Sequence, residues 1–231
     1  MSIVRFDSDS LASECRNFGE LSDGFFEPHE RSWDDLARDI KRIGRTNSPH
    51  TRTWELGKWS PFVTRPSMGY DRNPGRSVRG CISFKWEVVR RQHKHVDIDG
   101  IASFSALVCD ANDGEIIVSW NFDIADVASP GSCFHVQMTH GEPGAALPVP
   151  RLHSLVTTPP DAADFLLGEL FQQEWKAHVS RAGDTQSAHL ERQQRRLKRL
   201  LEWKHQEVQG ATGGSVWSTL KQAYPSSHVV F

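Results

Sequence analysis

The clearest order in the chain is a two-residue alternation that begins near residue 80. Ile82, Phe84, Trp86 and Val88 alternate with Ser83, Lys85 and Glu87, which turns one side of an extended segment toward a core and the other toward solvent. Ala102, Phe104, Ala106 and Val108 repeat the pattern. The turn-forming stretch from Asp110 to Gly114 then leads into Ile116, Val118, Trp120, Phe122 and Ile124, with Ser119, Asn121 and Asp123 on the opposite side. After a break at Ser129, Pro130 and Gly131, Phe134, Val136 and Met138 take inward positions and Cys133, His135 and Gln137 outward ones. Four alternating segments with short links predict an antiparallel meander, since parallel neighbours need long crossover connections. The proline-bearing run from Gly141 to Pro150 is expected to cross an edge or end of this sheet.

Helical periodicity flanks the sheet. Thr157, Thr158, Pro159, Pro160 and Asp161 form a helix start, with proline tolerated in the first turn and a carboxylate facing the helix dipole. Phe165, Leu166, Leu167, Leu170, Phe171, Trp175 and Val179 follow, an apolar face wide enough to cover one side of a sheet. A polar hinge leads to a second helix over 187–208, whose Leu190, Leu197, Leu200, Leu201 and Val208 predict an inward stripe. Gly210, Gly213 and Gly214 end it, and a tail carrying Trp217, Leu220, Tyr224 and Phe231 is expected to dock.

On the N-terminal side one short helix is expected over 32–43, capped by Ser32, with Trp33, Leu36, Ile40 and Ile43 on one side and Gly44 closing it. The first thirty residues show no sustained period and read as an irregular arm. Residues 46–80, with Pro49, Pro61, Pro66 and Pro74, read as mainly loops and short extended pieces, pinned to the body by Trp54, Trp59, Phe62 and Tyr70. The expected fold is therefore α+β: a four-stranded antiparallel β-meander packed on a C-terminal helix, with a further basic helix and an irregular N-terminal region. Its segments are 1–79, 80–180 and 181–231.

Composition narrows the class more than the function. The 231 residues carry 27 Lys and Arg against 29 Asp and Glu, a formal net charge of −2, so the whole molecule exerts no attraction on a polyanion. A chain of this length buries roughly 70–75% of its unfolded surface and can build a core without disulfides or structural metal. No apolar run approaches the ~18 residues of a membrane span, and the first residues lack a signal peptide's basic start and apolar stretch, so a cytoplasmic location and no membrane partner are expected. Cys15, Cys81, Cys109 and Cys133 form no CxxC pair, which excludes zinc-ribbon and thioredoxin patterns, and they read as buried thiols.

Histidines offer the first candidate chemistry: His93, His95, His135, His140 and His153 lie near Asp97, Asp99 and Asp123 in sequence. Metal binding needs three or four converging ligands, and no recognised spacing is present. The stretch RRQHKHVDIDG therefore reads as a solvated polar hairpin, and neither a metal nor a cofactor is expected. His135 and Asp123 are sharper, because both take outward positions on strands that are expected neighbours. Paired across the ladder they would make a general-base dyad, with Cys133 a conceivable thiolate partner. GYDRNPG and GATGG lack the strand-and-helix context of phosphate-binding loops and are assigned to turns.

The most polarised segment is HLERQQRRLKRLLEWKH. With its leucines inward, Arg192, Arg195, Arg196 and Arg199 are left to the outer surface, beside Trp203, to meet a partner's carboxylates or a phosphate backbone. One interleaved tryptophan is not the stacking platform of a single-strand binder.

The strings WNFDI, SPGSCFHVQ, VPRLHSL and LGELFQQEW, over residues 115–178, resemble a pattern of an uncharacterised bacterial family. That resemblance implies a bacterial source and carries no activity with it. The order of meander, FHVQ, proline-rich crossing and helix also resembles that of ubiquitin-conjugating enzymes. Their His-Pro-Asn signature is replaced here by His135, Val136 and Gln137, and no cysteine follows it. The leading expectation is a non-enzymatic interaction protein whose partner is another protein. The type of resemblance suggests a sensor or adaptor subunit of a bacterial multi-protein system, such as phage defence. Eight tryptophans accord with interface anchoring. The alternatives are a hydrolase or nuclease using His135 and Asp123, and a nucleic-acid-binding accessory protein using the basic helix. Oligomeric state stays open.

Overall fold

The structure is a computed structural model that describes residues 4–28, 33–45, 51–56, 62–70, 75–92, 94–98, 102–124, 133–140, 152–181, 183–210, 214–216, 218 and 229–231, with the backbone alone for 51–56, 86–92, 102 and 140. Ser32, Trp59, the break at Ser129 to Gly131, the run from Gly141 to Pro150, Gly213, Trp217, Leu220 and Tyr224 fall outside the described residues, as do the side chains of Trp54 and Trp86.

The elements are β1 (Val4–Asp7), α1 (Ser8–Leu21), α2 (Trp33–Arg45), β2 (Thr51–Leu56), β3 (Phe62–Val63), β4 (Val78–Gln92), β5 (His95–Ile98), β6 (Ala102–Asp110), β7 (Ile116–Ile124), β8 (Phe134–His140), β9 (Leu152–His153), α3 (Pro159–Val179), α4 (Asp184–Gln209) and β10 (Val229–Val230). The fold is mixed α+β. The four expected strands pair in the expected order as β4, β6, β7 and β8, but they do not form a simple meander: β5 intervenes between β4 and β6 in the chain and pairs with β4, in a wider sheet ordered β10-β1-β5-β4-β6-β7-β8-β9 with β2 and β3 also on β4. Phe84 pairs with both Leu56 and Phe104, and Val88 with both Arg52 and Ile98. Hence β2 lies along one edge of the long β4 while β6 and β5 share the other. The β6–β7 turn forms on Asp110, whose carboxylate accepts from the amides of Asn112 and Asp113, with Gly114 at φ 76°.

The alternation places its side chains as expected: Ile82, Phe84, Phe104, Val108, Val118, Trp120, Phe122, Ile124 and Phe134 are buried. Over them lies α3, which starts at a capping box made by Thr158 and Asp161. Phe165 meets Trp120 and Phe122 edge-on at 5.2 and 5.3 Å. The helix packs tightly at Gly80, where a Cβ would stand 2.6 Å from Leu170 and 2.8 Å from Leu166.

Three expectations are corrected. The first thirty residues are not an arm: Val4 and Phe6 are buried in β1, and Leu11, Cys15, Phe18 and Leu21 make a buried stripe along α1, capped by Asp7. Gly44 does not end the second helix but lies inside it, where its missing side chain admits Ser8, as Gly19 admits Trp33. The stretch around His95 is no solvated hairpin either. It is β5, with Val96, Asp97 and Ile98 buried between β1 and β4, and Asp97 taking two hydrogen bonds from Arg5. Residues from all three sequence segments join one buried cluster, and Val4 pairs with Val229 in parallel.

Trp120→Ala should cost about 3–5 kcal/mol, because the site is 4% exposed and cannot collapse around the lost ring. Gly80→Val should cost about 1–3 kcal/mol by forcing α3 off β4. Urea unfolding of the two variants measures both.

Candidate functional site

The basic helix α4 does not sit in the phase its leucines predict. Its buried residues are His189, Arg196, Leu200 and Trp203, whereas Leu190, Leu197 and Leu201 are 54%, 39% and 51% exposed. The helix is thus rotated by one residue from the expected inward stripe, and the cause is Arg196. Its Nη1 donates to both oxygens of Glu14 on α1 at 2.5 and 2.6 Å, while Nε donates to Asp161 on α3 at 3.1 Å and Nη2 to the other oxygen of the same carboxylate. All three groups are withdrawn from water. Burial alone works against Arg196's charge, but Asp161 and Glu14 outweigh it and raise its pKa. Burial also raises Glu14, with Arg196 opposing. A guanidinium held on two sides stays ionised, and turning it outward would strand two buried carboxylates.

A second buried cluster lies beside it. Asp164 accepts from Trp175 Nε1 and Gln193 Nε2, each at 2.7 Å, and stands 3.9 Å from His189. Burial pushes Asp164 up, and the contacts with His189, Gln193 and Trp175 more than reverse it, leaving the carboxyl below its ordinary value.

The expected partner-binding residues therefore divide. Arg196 is structural, and Trp203, expected at the surface, is 6% exposed and packs edge-on against Phe134 at 6.0 Å. Arg192 is half-buried and donates to the Ser13 hydroxyl at 3.1 Å. Arg195 is exposed and paired with Glu191 one turn back at 2.5 Å, and Arg199 is exposed. Arg192, Arg195, Arg196 and Arg199 do converge, on a cleft of about 190 Å³ that α4 forms with Ser10 and Glu14 of α1. Away from the cleft, α4 presents exposed Leu190, Leu197 and Leu201, with exposed Lys198 one turn before Leu201.

The His135 and Asp123 pair forms in the expected register, directly opposite on β8 and β7, with Nε2 3.6 Å from Oδ2. His135 is only 2% exposed. Cys133 does not join it as a thiolate: it is buried, and burial pushes its thiol up to about 12. His95 lies opposite Asp7, and His153 opposite His135. His93 and the side chain of His140 lie outside the described residues, among which no three His, Cys, Asp or Glu side chains gather to hold a metal ion. Of the cysteines, Cys15 and Cys133 are buried as expected, but Cys81 and Cys109 are half-exposed and free.

Glu14, Asp164 and His189 match no sequence motif. A polar residue at each otherwise apolar helix position was the available signal. Among the described residues no helix is long and apolar enough to cross a membrane. Comparison with protein-family models, with curated proteins and with solved structures finds no match.

Arg196→Ala should destabilise by about 3–5 kcal/mol, since it leaves Glu14 and Asp161 buried without their cation. Asp164 titrates below its unfolded value of 3.8, so its contribution is complete above that pH and is lost as pH falls through the folded value. Unfolding free energies of wild type and Asp164→Asn, measured from pH 6 down, should differ most at the upper end and converge in acid.

Proposed function

We propose that the protein is a non-enzymatic interaction protein whose docking surface is the outer face of α4. The observation that carries this reading is the exposure of Leu190, Leu197 and Leu201 along one side of a 26-residue helix whose other side is fixed by the Arg196 ion pairs. Leucines at steps of seven and four form a continuous stripe on a helix. Exposed Lys198, one turn before Leu201, borders it. The surface suits a protein segment that is itself a helix, with apolar positions flanked by carboxylates, which is the helix-against-helix mode of recognition. The Lys198 cation would favour an acidic border on the partner, and the leucines would supply affinity. A sensor or adaptor subunit of a bacterial multi-protein assembly is the setting this reading implies.

Nucleic acid is the weaker partner. Arg196 is committed to two carboxylates and Arg195 to Glu191, so the helix offers fewer free cations than its composition suggests. A hydrolase is supported only by the His135 and Asp123 contact, beside which the Cys133 thiol is held protonated.

Leu197→Asp with Leu201→Asp should leave the melting temperature nearly unchanged, because both sites face water, and should abolish partner capture from the native host. A photocrosslinker placed at Gln194, between the leucines, should link to that partner in the wild-type background only. Retention of capture by the double variant would refute the docking surface.

A further inference from the structure

The rotation of α4 that buries Arg196 also sets a row of arginines along α1, and the docking reading does not use it. Arg192, Arg195, Arg196 and Arg199 stand at i, i+3, i+4 and i+7, so they share one face of the helix, roughly opposite Leu190, Leu197 and Leu201. All four line the cleft of about 190 Å³ between α4 and α1, to which α1 contributes Ser10 and Glu14, and β1 contributes Asp7. Like charges three and four residues apart on a helix repel one another. Such a row calls for counter-charge, and the carboxylates on this lining do not supply enough of it.

Glu14 is taken by Arg196, which Asp161 holds from the other side. Asp7 turns its Oδ1 to the Ser10 amide at 2.7 Å as the N-cap of α1. Arg195 meets Glu191 on its own helix, an exposed pair that water and salt weaken and an incoming anion can replace. Arg192 donates to uncharged acceptors, the Ser13 hydroxyl at 3.1 Å and the Asn17 amide oxygen at 3.1 Å. Neither Arg192 nor Arg199 pairs with a carboxylate among the described residues. Ser10, in the first turn of α1, brings the positive end of that helix to the same cleft. The concave side of α4 therefore carries a surplus of positive charge in a place where a small anion can enter.

We propose that the cleft between α1 and α4 binds the phosphate group of a small ligand, held by Arg192, Arg195 and Arg199 with the Ser10 hydroxyl as a further donor. A guanidinium presents paired N–H groups that match two oxygens of a phosphate, and a dianion shared among the three relieves the repulsion along the row. The cleft has the volume of about six water molecules, room for one phosphate group and too little for a run of nucleotide backbone. Arg196 stays with Glu14 and Asp161, and fixes the angle of α4 that brings its neighbours to the cleft. Phe231, half-buried on the same lining, is the apolar surface that the body of an organic ester would meet. The site lies across α4 from the leucines and does not rest on the docking reading.

The test titrates the full chain with inorganic phosphate by calorimetry near neutral pH, against chloride at matched ionic strength. Saturable binding is expected, with a melting temperature that climbs as phosphate is added, because the folded state alone presents the site. Arg195→Gln and Arg199→Gln, both at exposed positions, should each weaken binding about tenfold and leave the phosphate-free melting temperature in place. Arg192→Gln should weaken binding as much and also lower that melting temperature, since it loses the Ser13 contact. Arg38→Gln, which removes an exposed charge on α2, should leave binding as it is. Phenyl phosphate run beside inorganic phosphate distinguishes the sources: tighter binding of the ester points to an organic phosphate, and no gain points to free phosphate. Absence of saturable binding at about 10 mM phosphate, well above the half-filling point of a millimolar site, would overturn the proposal. So would equal losses in Arg38→Gln and Arg199→Gln. Affinity that rises steadily with the length of a single-stranded oligonucleotide would instead assign the arginines to an open polyanion surface.

Discussion

The arrangement of the helices depends on one buried cation. Arg196 joins α1 through Glu14 and α3 through Asp161, residues 182 and 35 positions away in sequence. The same Asp161 carboxylate accepts from the amides of Thr157 and Thr158 and from the Thr157 hydroxyl. Starting α3 and seating α4 are thus one constraint rather than two. Burying three charges carries a desolvation penalty that only close geometry offsets, so an apolar trio of similar shape would hold the helices as firmly. What the ionic version adds is rotational definition: only one angle of α4 lets a guanidinium reach both carboxylates, and that angle also turns Leu190, Leu197 and Leu201 outward.

The strands were legible because each inner position is apolar and each outer position polar, so register has a single low-energy solution. That held from Ile82 to Phe134, and the capping box at Thr158 was equally plain. The first helix was not, although Leu11, Cys15, Phe18 and Leu21 follow a helical stripe, because buried Ser8 and Glu14 interrupt it and make the segment look polar. The phase of α4 failed for a related reason. Two stripes one residue apart both contain leucine, and hydrophobicity alone prefers the one with more of them. Burial of Arg196 and His189 makes sense only once Glu14, Asp161 and Asp164 are known to converge there, and their distance in sequence hides this. At the candidate site, the register of His135 with Asp123 could be read.

His135 shows why register alone does not make a catalyst. A histidine beside a carboxylate is oriented, but a reacting atom must also reach it. His135 is nearly closed off from solvent, and the adjacent thiol lies in another environment, among Lys204 and Glu207 of α4, where burial keeps it protonated. Along the same outward rows, Ser105 donates to Asn121 at 2.8 Å and Ser119 bonds Thr139. Short polar side chains that satisfy each other across strands account for this face without invoking turnover.

The two faces of the sheet nevertheless meet at one residue. Gly80 follows Arg79 and precedes Cys81, and Leu166 and Leu170 of α3 occupy the space of its missing side chain. Its amide donates to Thr64 and its carbonyl accepts from the Thr64 amide, so the strand is held on the edge opposite β6 as well. Closely packed interiors do not deform continuously. A change in the spacing of β4 and β6 beside Gly80 must therefore be taken up either by Leu166 and Leu170 or by the Thr64 contacts. Asp161, which anchors α4, lies on the same helix as those two leucines.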